Sequence, residues 1–219
     1  MKAPRQIITR SPHRRTGLIA CPWLQPQAVG YESLLECNFV RIALLCPTLL
    51  AIRHQPPRLD LGEQGTYTPD FMLTFGQYEK YLVEVKPSVF LKKARAKLDA
   101  ARNQVMQQGM DFLICTDEEI YKDDRHERAG QILRQARSQY TKDGERALLL
   151  KLESVFFPTS MEKIKEISGL ASEQIMYLIG RRHLHLLPSL KTDFIFRLTG
   201  KENRDDIISP RAWLSHSAR

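Results

Sequence analysis

Apolar and polar positions alternate along YLVEVK, residues 81–86, and a second such stretch, FMLTF at 71–75, lies just upstream. This period of two predicts two short strands joined by a turn at Gly76 and Gln77, the first opening with Pro69-Asp70. Alternation puts Tyr81, Val83 and Val85 on one face and Leu82, Glu84 and Lys86 on the other. Further upstream the period changes. Leu35, Phe39, Ile42 and Cys46 recur at helical spacing, predicting an amphipathic helix over 31–46 that ends before Pro47. Between lie TLLAIRHQP, read as a strand, and a turn at 62–65 leading into the strand that carries Asp70. Downstream, Phe90, Leu91, Ala94, Leu98, Ala101 and Val105 form the apolar stripe of a helix over 87–109, stopped by Gly109. DFLIC at 111–115 reads as a buried strand. Strand, helix and strand in that order build the core of an α/β domain.

The pattern loosens over 117–140, which is polar, helical and weakly amphipathic, as expected of a domain edge or a bridge. Composition then shifts. RALLLKLESVFF at 146–157 predicts a strongly apolar helix closed by Pro158, followed by a short helix over 161–167 and a turn at Ser168-Gly169. A further helix over 172–182 takes Ser172 as its N-cap, and 183–187 and 193–198 read as two strands. Three helices and then a hairpin is the order of a winged helix-turn-helix, with 172–182 as its recognition helix. That helix exposes Glu173, Gln174 and Tyr177 and reaches its arginines only at its end, which favours protein contact or scaffolding over groove reading. Trp213-Leu214 in a polar tail suggests a segment that orders on a partner. The expected organisation is a basic flexible arm at 1–20, an α/β domain at 21–142, a small winged-helix-like α+β domain at 143–200 and a tail at 201–219.

Charge adds a partner class. The 219 residues include 33 Lys or Arg against 25 Asp or Glu, a formal +8 that favours a polyanion. Arg14 and Arg15 sit in the arm, and Lys92, Lys93, Arg95 and Lys97 lie on or beside the polar face of the 87–109 helix. Both are read either as solvated or as lying along phosphates. No apolar run is long enough to span a bilayer, and no signal-peptide stretch follows the basic amino terminus, so a cytoplasmic protein is expected. Cys21, Cys37, Cys46 and Cys115 have no zinc-type spacing and are expected to be reduced and mostly buried; His183 and His185 are expected to be structural.

A carboxylate and an ammonium two residues apart on an otherwise apolar strand are costly to hold against a core unless something uses them. If the two strands pair, Asp70 comes close to Glu84, and two carboxylates and Lys86 converge. Such a cluster holds Mg²⁺ through oxygen ligands, with water left to attack a phosphodiester. The lysine would orient that water or offset charge on the phosphate. The bland reading is a simple charge pair on a solvated edge. Glu32 and Glu36, four apart, would repel slightly if both faced water; alternatively one of them is a third acid. Pro-Asp followed by Glu-x-Lys resembles the PD-(D/E)xK nuclease fold, a mixed sheet flanked by helices that restriction enzymes and resolvases share.

With its pieces in order the chain resembles the TnsA family, endonuclease subunits of heteromeric bacterial transposases, including those carried by CRISPR-associated transposons. The resemblance covers 31–120 well and the remainder loosely. LLECNFVRIALL is similar to the family helix that supplies the catalytic glutamate, here Glu36 rather than Glu32, and AIRHQP to the strand after it. TPDFML carries the metal-binding aspartate, here Asp70, and VEVKP ends in the catalytic lysine, here Lys86. CTDEEI resembles the segment closing the nuclease domain. In part of the family a glutamine stands where Glu84 is; a carboxylate there returns to the broader nuclease pattern. The resemblance implies a restriction-endonuclease-like α/β fold and a Mg²⁺-dependent DNA endonuclease, with Mn²⁺ able to substitute. Glu36, Asp70, Glu84 and the Val85 carbonyl would hold the metal, and Lys86 would orient or activate the water. It further implies cutting of the 5′ ends of a transposon on the non-transferred strand. The partners would be double-stranded DNA at those ends, a DDE-type (TnsB-like) transposase that cuts and joins the 3′ ends, and an AAA+ (TnsC-like) regulator docked on the C-terminal region. The setting would be the bacterial nucleoid. The alternatives are a stand-alone restriction or repair nuclease, and a DNA-binding assembly module with an idle metal site.

Overall fold

The computed structural model of the chain describes residues 15–198 and 209–214. Two short strands, β1 (Gly17–Ile19) and β2 (Val29–Tyr31), pair antiparallel and lead into helix α1 (Leu34–Leu44). Strand β3 (Leu49–His54) follows, then an antiparallel ribbon of β4 (Leu59–Asp60) and β5 (Thr66–Tyr67) closed by a 3₁₀ turn at Gly62–Gln64. Next come β6 (Phe71–Phe75), β7 (Lys80–Val85), helix α2 (Leu91–Gln107) and β8 (Asp111–Cys115). The central sheet has the order β3-β6-β7-β8, antiparallel except for the parallel pair β7–β8, which α2 connects. A parallel pair needs such a crossover, because a tight turn cannot reverse the chain twice.

Alternation along β7 divides the interior. Tyr81, Val83 and Val85 enter the large core shared with α1, while Leu82 joins Leu98, Ala101 and Val105 of α2 and Phe112 of β8 in a second cluster. Helices therefore cover both faces of the sheet. The expected stripe of α2 holds at Leu98, Ala101 and Val105, but Phe90 falls in a 3₁₀ turn (Ser88–Phe90) ahead of the α-helix and is exposed. The 3₁₀ turn changes the angular step, so Phe90 loses its phase with the stripe. The strand expected to run from the 62–65 turn through Asp70 is instead broken at Thr68-Pro69-Asp70, where proline withdraws a ladder donor.

Helices α3 (Asp117–Tyr121) and α4 (Arg125–Gln135) occupy the polar stretch once read as an edge or a bridge. Of those two readings the bridge describes α4, which packs between α1 and α7 (Ser172–Gly180) and buries Arg125, Ala129, Ile132 and Leu133. Its apolar face, Ala129, Ile132 and Leu133, is thin in sequence but serves two partners at once. Between them in the chain stand α5 (Lys142–Leu150) and α6 (Met161–Ser168), and after α7 a hairpin of β9 (His185–Leu186) and β10 (Ile195–Phe196). The apolar helix expected over 146–157 stops at Leu150, leaving Phe156 exposed. Ala171, not Ser172, takes the N-cap position of α7, and its N–H is bonded by the Gln174 side chain (2.9 Å).

Tyr177 also departs from its expected place on an exposed face. It is fully buried, its ring 4.5 Å from that of Tyr140 and its hydroxyl donating to Glu145. Helices α4 and α7 approach so closely that a Cβ on Gly180 would lie 2.5 Å from the Ala136 Cβ. Buried residues on both sides of 142–143 belong to one apolar cluster. Arg182 ties them further, donating to the carbonyls of Cys46 (3.2 Å) and Pro47 (2.6 Å).

Of the tail expected to await a partner, residues 209–214 are described and the rest lies outside the described residues; the described part packs against this chain's own core. Helix α8 (Pro210–Leu214) buries Trp213 completely; its indole N–H donates to the Ile42 carbonyl of α1 (3.0 Å), and Arg125 donates to the Trp213 carbonyl (2.8 Å). Replacing Trp213 with alanine should cost about 3–5 kcal/mol, read as a lower midpoint in urea unfolding. An unchanged midpoint would show that α8 is only laid on the surface.

Candidate active site

The antiparallel register pairs Phe71 with Val83, and one step further sets Asp70 opposite Glu84. Asp70 is held there by its own backbone and side chain. The Gln55 N–H donates to its carbonyl (2.8 Å) and the Val85 N–H to its Oδ2 (2.8 Å). Glu84 is 6% exposed; Lys86 Nζ lies 2.8 Å from its Oε1, and the Tyr67 hydroxyl donates to its Oε2. The third acid arrives from α1. Ser33 caps that helix, its Oγ accepting from the Glu36 N–H (3.1 Å) and donating to Glu36 Oε1 (2.9 Å), while the Glu32 N–H donates to Oε2 (2.8 Å).

Glu32 therefore does not share a helix face with Glu36. It precedes the cap, and Gln55 Nε2 donates to its Oε1 (3.1 Å). The Ser33-Leu-Leu-Glu36 spacing is the signature that marks such a start.

Glu36, Asp70, Glu84 and Lys86 line one cleft of about 550 Å³, joined there by Val85, Glu32 and Arg15. Sequence reasoning gathers Glu36, Asp70, Glu84 and Lys86 in one site and the structure brings them together, while Arg15, expected in the amino-terminal arm, lines the same cleft. Arg14 lies outside the described residues. Lys92, Lys93, Arg95 and Lys97 are exposed on α2 and do not line the cleft. Arg95 faces Asp99 (3.8 Å), and Lys97 Nζ stands 5.9 Å from the centroid of the Tyr67 ring.

Electrostatics follow from crowding three acids in a partly dry cleft. Burial, then the Glu84 carboxylate, pushes Asp70 up to about 8 against the pull of the Val85 N–H, with Glu36 adding to the rise. Burial likewise raises Glu36 despite the Glu32 N–H and Ser33. Burial and Glu84 raise Tyr67 far above its ordinary value, so its hydroxyl stays a donor. The cleft sets two cations, Lys86 and Arg15, against four acids, Glu32, Glu36, Asp70 and Glu84.

The donor set fits a hard divalent cation: carboxylate oxygens, an adjacent backbone carbonyl, and excess negative charge that such an ion would relieve. As the side chains stand, no group of three or more His, Cys, Asp or Glu among the described residues is arranged to hold one. Glu36 accepts from Ser33 and the Glu32 N–H, and Glu84 is held by Tyr67 and Lys86, so each carboxylate is steadied by protein groups. The cysteines offer no other nucleophile: all four are free and buried, and burial raises Cys115 far up and Cys21 to about 11.

Tyr67 is the functional candidate that sequence reasoning missed. Its only sequence signal was a place three residues ahead of Asp70, and the ribbon that delivers it was too short to announce itself.

A mixed four-stranded sheet flanked by helices, with acids gathered where two central strands and a helix N-terminus meet, fits the α/β restriction-endonuclease-like class of nuclease. Residues 46–117 match the family model of the TnsA-like endonuclease N-terminal domain. Over that segment the chain is similar to the N-terminal part of a TnsA-like endonuclease. The matched segment contains Asp70, Glu84, Val85 and Lys86, whereas Glu36 stands upstream of it. No curated protein sequence matches the chain. No helix among the described residues is long and apolar enough to cross a membrane.

Proposed function

We propose that this chain is the metal-dependent DNA endonuclease subunit of a heteromeric cut-and-paste transposase, cutting the 5′ ends of its element on the non-transferred strand. The observation that carries this reading is the convergence of Glu36, Asp70, Glu84 and Lys86 on one cleft within a TnsA-like domain. Asp70, Glu84, Glu36 and the Val85 carbonyl would hold Mg²⁺, or Mn²⁺ in its place. A cation bound there lowers the pKa of a coordinated water and offsets charge on the phosphate.

The chain's own groups do the rest. Lys86 presents Nζ to the cleft at 26% exposure, where it orients a water or a phosphate oxygen by donating a hydrogen bond. The Val85 N–H and the Ser33 hydroxyl keep Asp70 and Glu36 from turning away. Water is the attacking group, since no thiolate is available.

Arg15 at the cleft and Lys92, Lys93, Arg95 and Lys97 on α2 contact DNA phosphates, and Arg14, outside the described residues, is a further phosphate contact. Three helices and a hairpin over 142–198 form a winged-helix-like unit that docks the AAA+ regulator, and a DDE-type transposase acts on the 3′ ends.

The test is a strand-resolved cleavage assay in Mg²⁺ or Mn²⁺ on DNA carrying the element's ends, with and without the neighbouring transposase. A 5′ cut that needs the partner supports the reading. Cutting by the chain alone would make it an independent nuclease, and no cut in any mixture would leave an assembly module.

A further inference from the structure

We infer that Tyr67 is a positioning residue of the nuclease site, fixing the Glu84 carboxylate in the plane from which it meets a divalent cation. This rests on the nuclease reading above. Each acid in the cleft is steadied by protein donors, but the others draw theirs from their own neighbourhood. Glu36 uses its helix cap and Asp70 the facing strand. Tyr67 comes instead from β5, part of a ribbon outside the four-stranded sheet.

The ribbon is fixed at both sides of the ring. Leu59, paired with Tyr67, is buried in the cluster under α2, and the Tyr67 ring packs 6.3 Å from that of Phe112. Lys97 of α2 closes over its face. The ring can therefore rotate little, and its hydroxyl addresses Glu84 Oε2 while Lys86 addresses Oε1. A carboxylate oxygen has two lone pairs, so one donor on each oxygen sets the carboxylate plane and leaves a lone pair on each for a cation. Groups that orient a metal-binding side chain in this way contribute through the metal's affinity rather than by touching substrate.

Tyr67→Phe keeps the ring against Phe112 and beneath Lys97 and deletes only the donor. On DNA-free protein, calorimetric titration with Mn²⁺ should show affinity weakened about 10–100-fold relative to wild type. DNA affinity in EDTA should stay unchanged, because the phosphate-facing cations are intact. Thr66→Ala, at the exposed neighbouring position of the ribbon, should bind Mn²⁺ as wild type does. Unchanged Mn²⁺ affinity in Tyr67→Phe, while Asp70→Ala loses it, would overturn the role assigned to Tyr67 and leave the nuclease reading standing. Equal Mn²⁺ binding by wild type and Asp70→Ala would sink both.

Discussion

Asp70→Ala abolishes metal-dependent DNA cutting, a loss on the order of 10³-fold or more, while the protein stays folded and binds DNA. The expectation rests on what Asp70 does for the fold, which is little that helps it. Its carboxyl is pushed up to about 8 from the ordinary 3.8, first by burial and then by Glu84. The folded chain thus keeps a proton that the unfolded chain releases, so between those two values stability falls as pH rises. Below the lower value both states are protonated and the effect vanishes. Asp70→Asn keeps an acceptor for the Val85 N–H and carries no charge. It should therefore melt higher than wild type at pH 8 without metal, by about 2–4 °C for each kcal/mol regained in a chain of this size. Thermal melts at pH 5 and pH 8 check the sign: the gap between the two proteins has to widen with pH. A variant that is more stable and inactive identifies a residue kept for chemistry. Retained cutting would displace the metal site from this cleft.

The second large effect is competition between protons and the cation. Burial and the Glu84 carboxylate hold the Asp70 carboxyl well above the usual carboxylate range, so on the proposed reading a divalent ion bound there has to expel a proton. Apparent Mn²⁺ affinity should fall as pH is lowered through that raised value, by up to about tenfold per pH unit, and level off above it. Calorimetry at pH 7 in buffers of different ionisation enthalpy should show close to one proton released per ion bound. Affinity that does not change with pH would mean that the cation binds away from Asp70.

How much of this was legible in the chain depends on whether a signal was local. The two strands and their acids were, because period-two alternation fixes faces and the antiparallel register then fixes neighbours. The start of α1 was written in Ser33 and Glu36, though helical periodicity alone placed it too early and drew Glu32 in. Tyr67 was not legible: its partner is seventeen residues away across a ribbon of two-residue strands. Tyr177 and Trp213 misled for a shared reason. The partner that takes each one's polar atom lies in a distant element, Glu145 of α5 for the Tyr177 hydroxyl and the Ile42 carbonyl of α1 for the Trp213 indole. Phe90 misled in the opposite direction, since a 3₁₀ turn shifted it out of a stripe that otherwise held.

The indole of Trp213 closes on Ile42, 171 residues earlier, in the helix that supplies Glu36. Synthesis proceeds from the amino terminus, so α1 emerges long before the side chain that completes its packing. Throughout that interval the nascent nuclease has its strands and its acids but lacks the last wall of the core behind the third acid. The cleft is thus finished late, after the regions over 142–198 have been made. A chain made in that order has its acids in place before the wall behind Glu36 is closed.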